Sequence, residues 1–214
     1  RRMLNEELDH RVKNILAVIK SLVTHPTREG ETLANYVASL HGRIQALSSA
    51  HDQVIRGDGG GALAELLRAE LSPYMSRDGA VQIAGPAVWL DARAFSVMAL
   101  VLHELCTNAV KYGALKTSEG RIAIDWRIYA VDAGGRESLR FVWAERNGPP
   151  VVKPDKLGFG SKMIERLLSY ELDARVEIGF PETGITCTLV APIGRVRADR
   201  EPRETVTAGA PAIA

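Results

Sequence analysis

The chain has 214 residues, 46% of them hydrophobic and 25% charged, which describes a globular protein long enough for one ordinary domain or two small ones. A formal net charge of +1 gives no reason to expect nucleic acid or an anionic membrane surface as a partner. No apolar run is long enough to cross a bilayer, no secretory leader is visible, and the two cysteines, Cys106 and Cys187, make neither a disulfide framework nor a zinc site. Both cysteines read as reduced core residues of a cytoplasmic protein. The first residue is Arg1 rather than Met, so a natural N-terminal part, with any sensor domain, is expected to be missing.

Residues 2–24 read as one helix. Leu4, Leu8, Val12, Ile15, Ile19 and Leu22 recur at three- and four-residue spacing and share one face. Pro26 ends it, because proline drives the preceding residue out of helical geometry. A second helix is expected over 31–55, with Leu33, Val37, Leu40, Ile44, Leu47, His51 and Val54 in alternating four- and three-residue steps. Two such stripes joined by a short turn make an antiparallel hairpin, residues 1–56. Its stripe is wider than the partner helix covers, so two hairpins are expected to form a four-helix bundle in a homodimer. On this pattern His51 is a packed seam residue, whereas His25 and His41 have no chemical neighbours and read as surface. The run Gly57-Asp58-Gly59-Gly60-Gly61 reads as a linker and hinge.

After it, 62–74 looks helical, and short strands are expected at 81–84 and 87–90 around Gly85-Pro86. A long helix follows over 91–112, then strands over 121–131 and 138–145 with a turn at Gly134-Gly135. A helix over 161–171 and strands over 175–180 and 185–191 complete the pattern. Helices and a mostly antiparallel sheet in this order predict a two-layer α/β sandwich over 62–194, making the whole chain α+β. The tail, 195–214, is rich in charge, Pro, Ala and Thr, without periodicity, and is expected to be disordered.

The long helix carries the most chemistry. At roughly 100° per residue, Glu104, Asn108 and Lys111 fall within about 60° of one another, while Phe95, Met98, Leu102, Leu105 and Ala109 gather on the opposite side. A carboxylate, an amide and an amine on one exposed face suit a magnesium nucleotide: the amide oxygen is a hard ligand, the amine neutralises phosphate, and the carboxylate orients or accepts a proton. A merely solvated polar face has the same spacing. On the strand ending at Glu145, period two turns Leu139, Phe141, Trp143 and Glu145 to one side. An acid on a core face needs a partner, such as a nucleotide's exocyclic amine or an Arg, unless the strand frays and lets it reach water. Gly158-Phe159-Gly160-Ser161 opens a helix, where glycines let backbone amides approach a phosphate, although it is neither a Walker A loop nor a full G-x-G-x-x-G. The loop through Asn147-Gly148-Pro149-Pro150 is a candidate lid. His10 falls roughly opposite the apolar stripe of its helix, exposed as a nucleophile would be, and as an ordinary surface histidine would be.

These elements together resemble the HWE family of histidine kinases over residues 1–194. Asp9-His10-Arg11-Val12-Lys13-Asn14 resembles the family's H-box, with His10 as phosphoacceptor. The run His103-Glu104-Leu105-Cys106-Thr107-Asn108-Ala109-Val110-Lys111-Tyr112-Gly113-Ala114 resembles its N-box. Trp143-Ala144-Glu145 is similar to its W-x-E signature, and Gly158-Phe159-Gly160-Ser161 to its glycine box. Asn147 departs from the pattern, the family often having Gly there, and the D-x-G-x-G box and F-box of ordinary histidine kinases are missing, as the HWE pattern implies.

The resemblance implies a GHKL (Bergerat-type) ATP site using ATP and magnesium. Asn108 would hold magnesium and Lys111 would contact phosphate. Glu145 would meet the adenine, and Glu104 would assist proton transfer from His10. Tyr112, Trp143, Gly148, Gly158, Gly160 and Ser161 would complete the nucleotide site. His103 is about 100° from Glu104 around the helix and so reads as a supporting residue. Asn14, one turn after His10, occupies the position from which ordinary histidine kinases that also act as phosphatases present a Thr or Asn. The implied function is autophosphorylation of His10 and transfer to an Asp on the receiver domain of a response regulator. The rival readings are a GHKL-type ATPase or serine/threonine kinase, which the His10 hairpin argues against, and a non-catalytic scaffold, which the Glu104/Asn108/Lys111 set argues against.

Overall fold

A computed structural model describes residues 32–57, 59–131, 135–153 and 158–198. The helix expected over 2–24, with His10 and Asn14, lies outside the described residues, as do His25 and the tail from 199.

The first described element is helix α1, Leu33–Arg56, whose N-cap Thr32 accepts the Asn35 backbone N–H at 3.2 Å through its hydroxyl. It buries Arg43, Leu47, Ala50 and Val54. This is not the whole stripe that the periodicity predicts. Leu33, Val37, Ile44 and His51 are exposed, on the side that the helix expected over 2–24 and a second hairpin would cover. The buried face packs on the long helix of the α/β unit, which selects a stripe rotated from the heptad one. His41 is exposed, as expected.

Strand β1, Gly60–Ala62, pairs antiparallel with β3, Trp89–Asp91. The expected linker is thus shorter than its glycine run: Gly57 ends α1, while Gly60 and Gly61 are ladder residues. A side chain at Gly61 would collide with the Phe95 ring, so close packing, not flexibility, demands glycine there. Helix α2, Leu63–Met75, turns Leu63, Leu66, Leu67 and Leu71 inward. Strand β2, Val81–Ala84, enters the main sheet instead of pairing with its neighbour β3. Helix α3, Ala92–Lys111, is capped by Asp91, whose carboxylate accepts the Ala94 N–H at 2.7 Å.

Strands β4, Arg121–Ala130, and β5, Glu137–Arg146, pair over their full length. Helix α4, Phe159–Leu172, and strands β6, Arg175–Gly179, and β7, Thr186–Pro192, follow. The main sheet has the order β2-β4-β5-β7-β6, with only the β2–β4 pair parallel. Ile122, Ile124 and Trp126 on β4, Leu139, Phe141 and Trp143 on β5, and Cys187, Leu189 and Ala191 on β7 alternate inward at period two. The helices cover that face, and Asp125 and Arg127 face solvent on the other. The two-layer α/β sandwich follows from this one-sided burial. Cys106 and Cys187 are free and buried, and burial pushes both thiols up, that of Cys187 to about 12.

Candidate active site

The end of β5 is fully in the core. Leu139, Phe141, Trp143 and Glu145 are all buried, with Glu145 only 3% exposed, so the strand does not fray. The partners of its carboxylate are neutral donors within the fold. Oε2 accepts the Ala114 backbone N–H at 2.7 Å, and Oε1 accepts the Trp143 indole N–H at 3.1 Å. Burial raises the Glu145 pKa, against the opposing pull of these two hydrogen bonds. A Cβ at Gly113 would sit on Oε2, so the turn after α3 comes this close to the carboxylate only because residue 113 is glycine.

Trp143 is 0% exposed. It was expected among the nucleotide-contacting residues, but its ring is sealed in the core, and it reaches any ligand only through the carboxylate it holds.

On α3 the expected exposed trio separates. Lys111 is exposed and Asn108 half-buried, but Glu104 is 4% exposed. The reason is a residue outside every motif. Arg43 on α1, itself 5% exposed, donates from Nε to Glu104 Oε1 at 2.6 Å. The other oxygen, Oε2, lies against Gly160, where any Cβ would overlap it. The same hypothetical Cβ would lie 3.7 Å from the Asn108 amide nitrogen. Glu104, Asn108 and the first turn of α4 are therefore one cluster. Helix α4 begins at Phe159, two residues before the expected Ser161, with Gly158 as N-cap, so Gly160 is a helical residue facing α3.

His103 looks the other way. Its Nδ1 is 2.9 Å from Glu70 Oε1 on α2, and a Cβ at Gly42 on α1 would be 2.9 Å from its Nε2. Its neighbours therefore lie on two other helices, α1 and α2. Two cavities flank it, of about 470 Å³ between α1, α2 and α3 and about 290 Å³ toward Tyr74 and Lys111. Lys111 lines the smaller one, and neither is lined by Asn108, Glu145 or Gly160.

Tyr112 is exposed, closing α3 with its N–H on the Asn108 carbonyl at 2.8 Å. Asn147 has φ +58°, a left-handed conformation that glycine adopts freely and asparagine tolerates best among the rest. That accounts for asparagine where the resemblance leads one to expect glycine. Its carbonyl accepts the Thr117 hydroxyl at 2.8 Å, and Gly148 packs on the Gly113–Ala114 backbone. Ser161 is half-buried one residue past Gly160.

Among the described residues no group of three His, Cys, Asp or Glu could hold a metal. A divalent ion that arrives with phosphate oxygens needs only one or two protein ligands, and the half-buried Asn108 amide offers one. The residues fit a magnesium nucleotide in that sense.

This pairing of a long helix bearing Glu and Asn with a glycine-opened helix, over a mixed sheet, is the arrangement of a GHKL-type kinase domain. The histidine kinase domain of the Erythrobacter litoralis EL346 blue-light activated histidine kinase superposes with a TM-score of 0.54 at 17% identity, covering 84% of this chain and 94% of that one. The family model of HWE histidine kinases matches residues 7–87. Blue-light-activated histidine kinases of Brucella ovis and Brucella anthropi are 31% identical over 193 residues, or 89% of this chain. The chain is thus similar to HWE histidine kinases. It spans 39% of the length of those curated relatives. No helix among the described residues is long and apolar enough to cross a membrane.

Proposed function

We propose that the chain is the catalytic core of a two-component sensor kinase. It moves the γ-phosphoryl group of MgATP to His10 and then to an Asp on a response regulator's receiver domain. An imidazole nitrogen lone pair forms the N–P bond as the β–γ bridging oxygen departs with ADP, and the ring's remaining N–H proton passes to a base. Phosphoryl transfer of this kind is mainly positioning and charge stabilisation.

The observation that carries this reading is the meeting of Glu104, Asn108 and Gly160, which joins the N-box helix to the glycine-box helix. Asn108 would hold magnesium, Lys111 a phosphate, and the amides of 158–161 the phosphate chain. Glu104, within that cluster, would act as the base. Glu145 keeps unused lone pairs for the adenine amine beyond its two internal donors. The hairpin would dimerise into a four-helix bundle, and Asn14 would position water for the reverse, phosphatase reaction. An upstream sensor and a cytoplasmic location belong to the same reading, whose rivals remain a GHKL-type ATPase or serine/threonine kinase and a scaffold.

The test is chemical. Protein labelled from γ-labelled ATP should lose its phosphate in acid and keep it in base, and His10→Ala should incorporate none while still binding ATP. Acid-stable label, or label in His10→Ala, would overturn the assignment.

A further inference from the structure

The buried ion pair between Arg43 and Glu104 joins two parts of the chain that the sequence separates. Arg43 lies on α1, before the Gly57 break, and Glu104 lies in the middle of the N-box helix. We propose that Arg43 is a positioning residue for the phosphoryl transfer, fixing the Glu104 carboxylate beside Asn108 and Gly160 from the other side of the break. The inference rests on the reading of Glu104 as the base of the site.

A glutamate side chain has three rotatable bonds, and nothing in its own helix holds its carboxylate at one angle. Here two contacts do. A 2.6 Å charge-assisted bond from Nε pins Oε1, and the bare backbone of Gly160 bounds Oε2. The two side chains are 6% and 5% exposed, so solvent and salt screen the pair little. The guanidinium supplies direction as well as charge, because its N–H groups are fixed in one plane. Leu47, Ala50 and Val54 seat the helix that carries it, so Arg43 reaches Glu104 only while α1 is docked on α3. The same helix leads back toward the segment bearing His10. The geometry of the base thus depends on the docking of the element connected to the phosphoacceptor.

The experiment uses the full chain and initial autophosphorylation rates at varied ATP, for wild type, Arg43→Gln, Arg43→Lys, Glu104→Gln and the Arg43→Gln/Glu104→Gln double variant. A circular dichroism melt of each verifies folding. Arg43→Gln is expected to lower kcat about tenfold with KM for ATP within about threefold, the pattern of lost transition-state positioning. Arg43→Lys, which keeps charge but not the planar fork, should fall between. In the Glu104→Gln background, Arg43→Gln should add less than about a twofold loss, because it acts through the residue already removed. Wild-type kcat in Arg43→Gln beside an inactive Glu104→Gln overturns the inference and leaves the reading of Glu104 standing. An equal Arg43→Gln loss in both backgrounds also overturns it. Wild-type turnover in Glu104→Gln overturns the reading of Glu104 itself, and the inference with it. If Arg43→Gln does not fold, Arg43→Lys decides alone: a reduced kcat at unchanged KM supports the inference, and a wild-type kcat overturns it.

Discussion

Glu104 and Glu145 are both carboxylates at the edge of the candidate site, and both are 4% exposed or less. They meet the cost of burial in opposite ways. Glu145 is held by neutral donors from within the α/β unit: the indole two residues back on its own strand and the Ala114 N–H at the turn after α3. Glu104 is held by a full positive charge brought from 61 residues away. A buried carboxylate with neutral donors is stabilised as an acceptor but still loses hydration, so its affinity for a proton rises. A buried carboxylate with a guanidinium is compensated only while its partner's helix is docked. One acid belongs to the α/β unit, the other to the junction between that unit and α1.

The largest way to break this contrast is Glu145→Ala. It orphans two buried donors at once, at about 1–3 kcal/mol each, so a loss of roughly 2–6 kcal/mol is expected in a denaturant melt. A loss under about 1 kcal/mol would show that the carboxylate is not structural. If Glu145 also meets the adenine amine, a melt-stable Glu145→Gln variant should bind ATP and GTP more equally than wild type does.

Gly160→Ala tests the rigidity of the other acid. Its methyl would overlap Glu104 Oε2, and Arg43 holds that carboxylate in place, so overpacking of about 1–3 kcal/mol is expected. The cost should shrink in a Glu104→Ala background, where the space is vacant. An equal cost in both backgrounds would mean that the clash is not with Glu104.

The smallest effect is a pH dependence at Glu145 alone. Glu145 has a folded pKa above its ordinary value of 4.5, so the native state keeps this proton where the unfolded chain has released it. The stability it contributes is complete below that ordinary value and is lost as pH rises through the raised folded one. The stability of wild type minus that of Glu145→Gln should therefore fall as pH rises from about 4.5. A flat difference would show that burial does not perturb this carboxylate.

Much of the α/β unit was legible from pattern. The period-two run Leu139, Phe141, Trp143, Glu145 predicts an inward acid at a strand end, and the acid is there. The apolar side of α3 follows from helical spacing in the same way, with Phe95, Met98, Leu102, Leu105 and Ala109 all buried. The family resemblance likewise placed Asn108, Glu104 and Gly160 in one expected site, and they are adjacent. Asn147 could be read only as a departure from a pattern, until its positive φ gave the backbone reason for it.

What the sequence alone could not supply is which surfaces cover one another. Helical periodicity reports which side of α3 is polar, but not that α1 lies over part of that side, so Glu104 was expected in solvent and is buried. The signal for its partner was nonetheless present. Arg43 shares the buried face of Leu47, Ala50 and Val54 at helical spacing, and a cation on such a face requires a distant anion. The same limit applies to Gly60 and Gly61, whose composition suggests flexibility although their ladder partners make them strand. Local pattern is fixed by backbone geometry and hydrophobicity over a few residues. Burial, and the pairing of charges it compels, is fixed by contacts between segments that no local pattern encodes, and only the tertiary structure decided those.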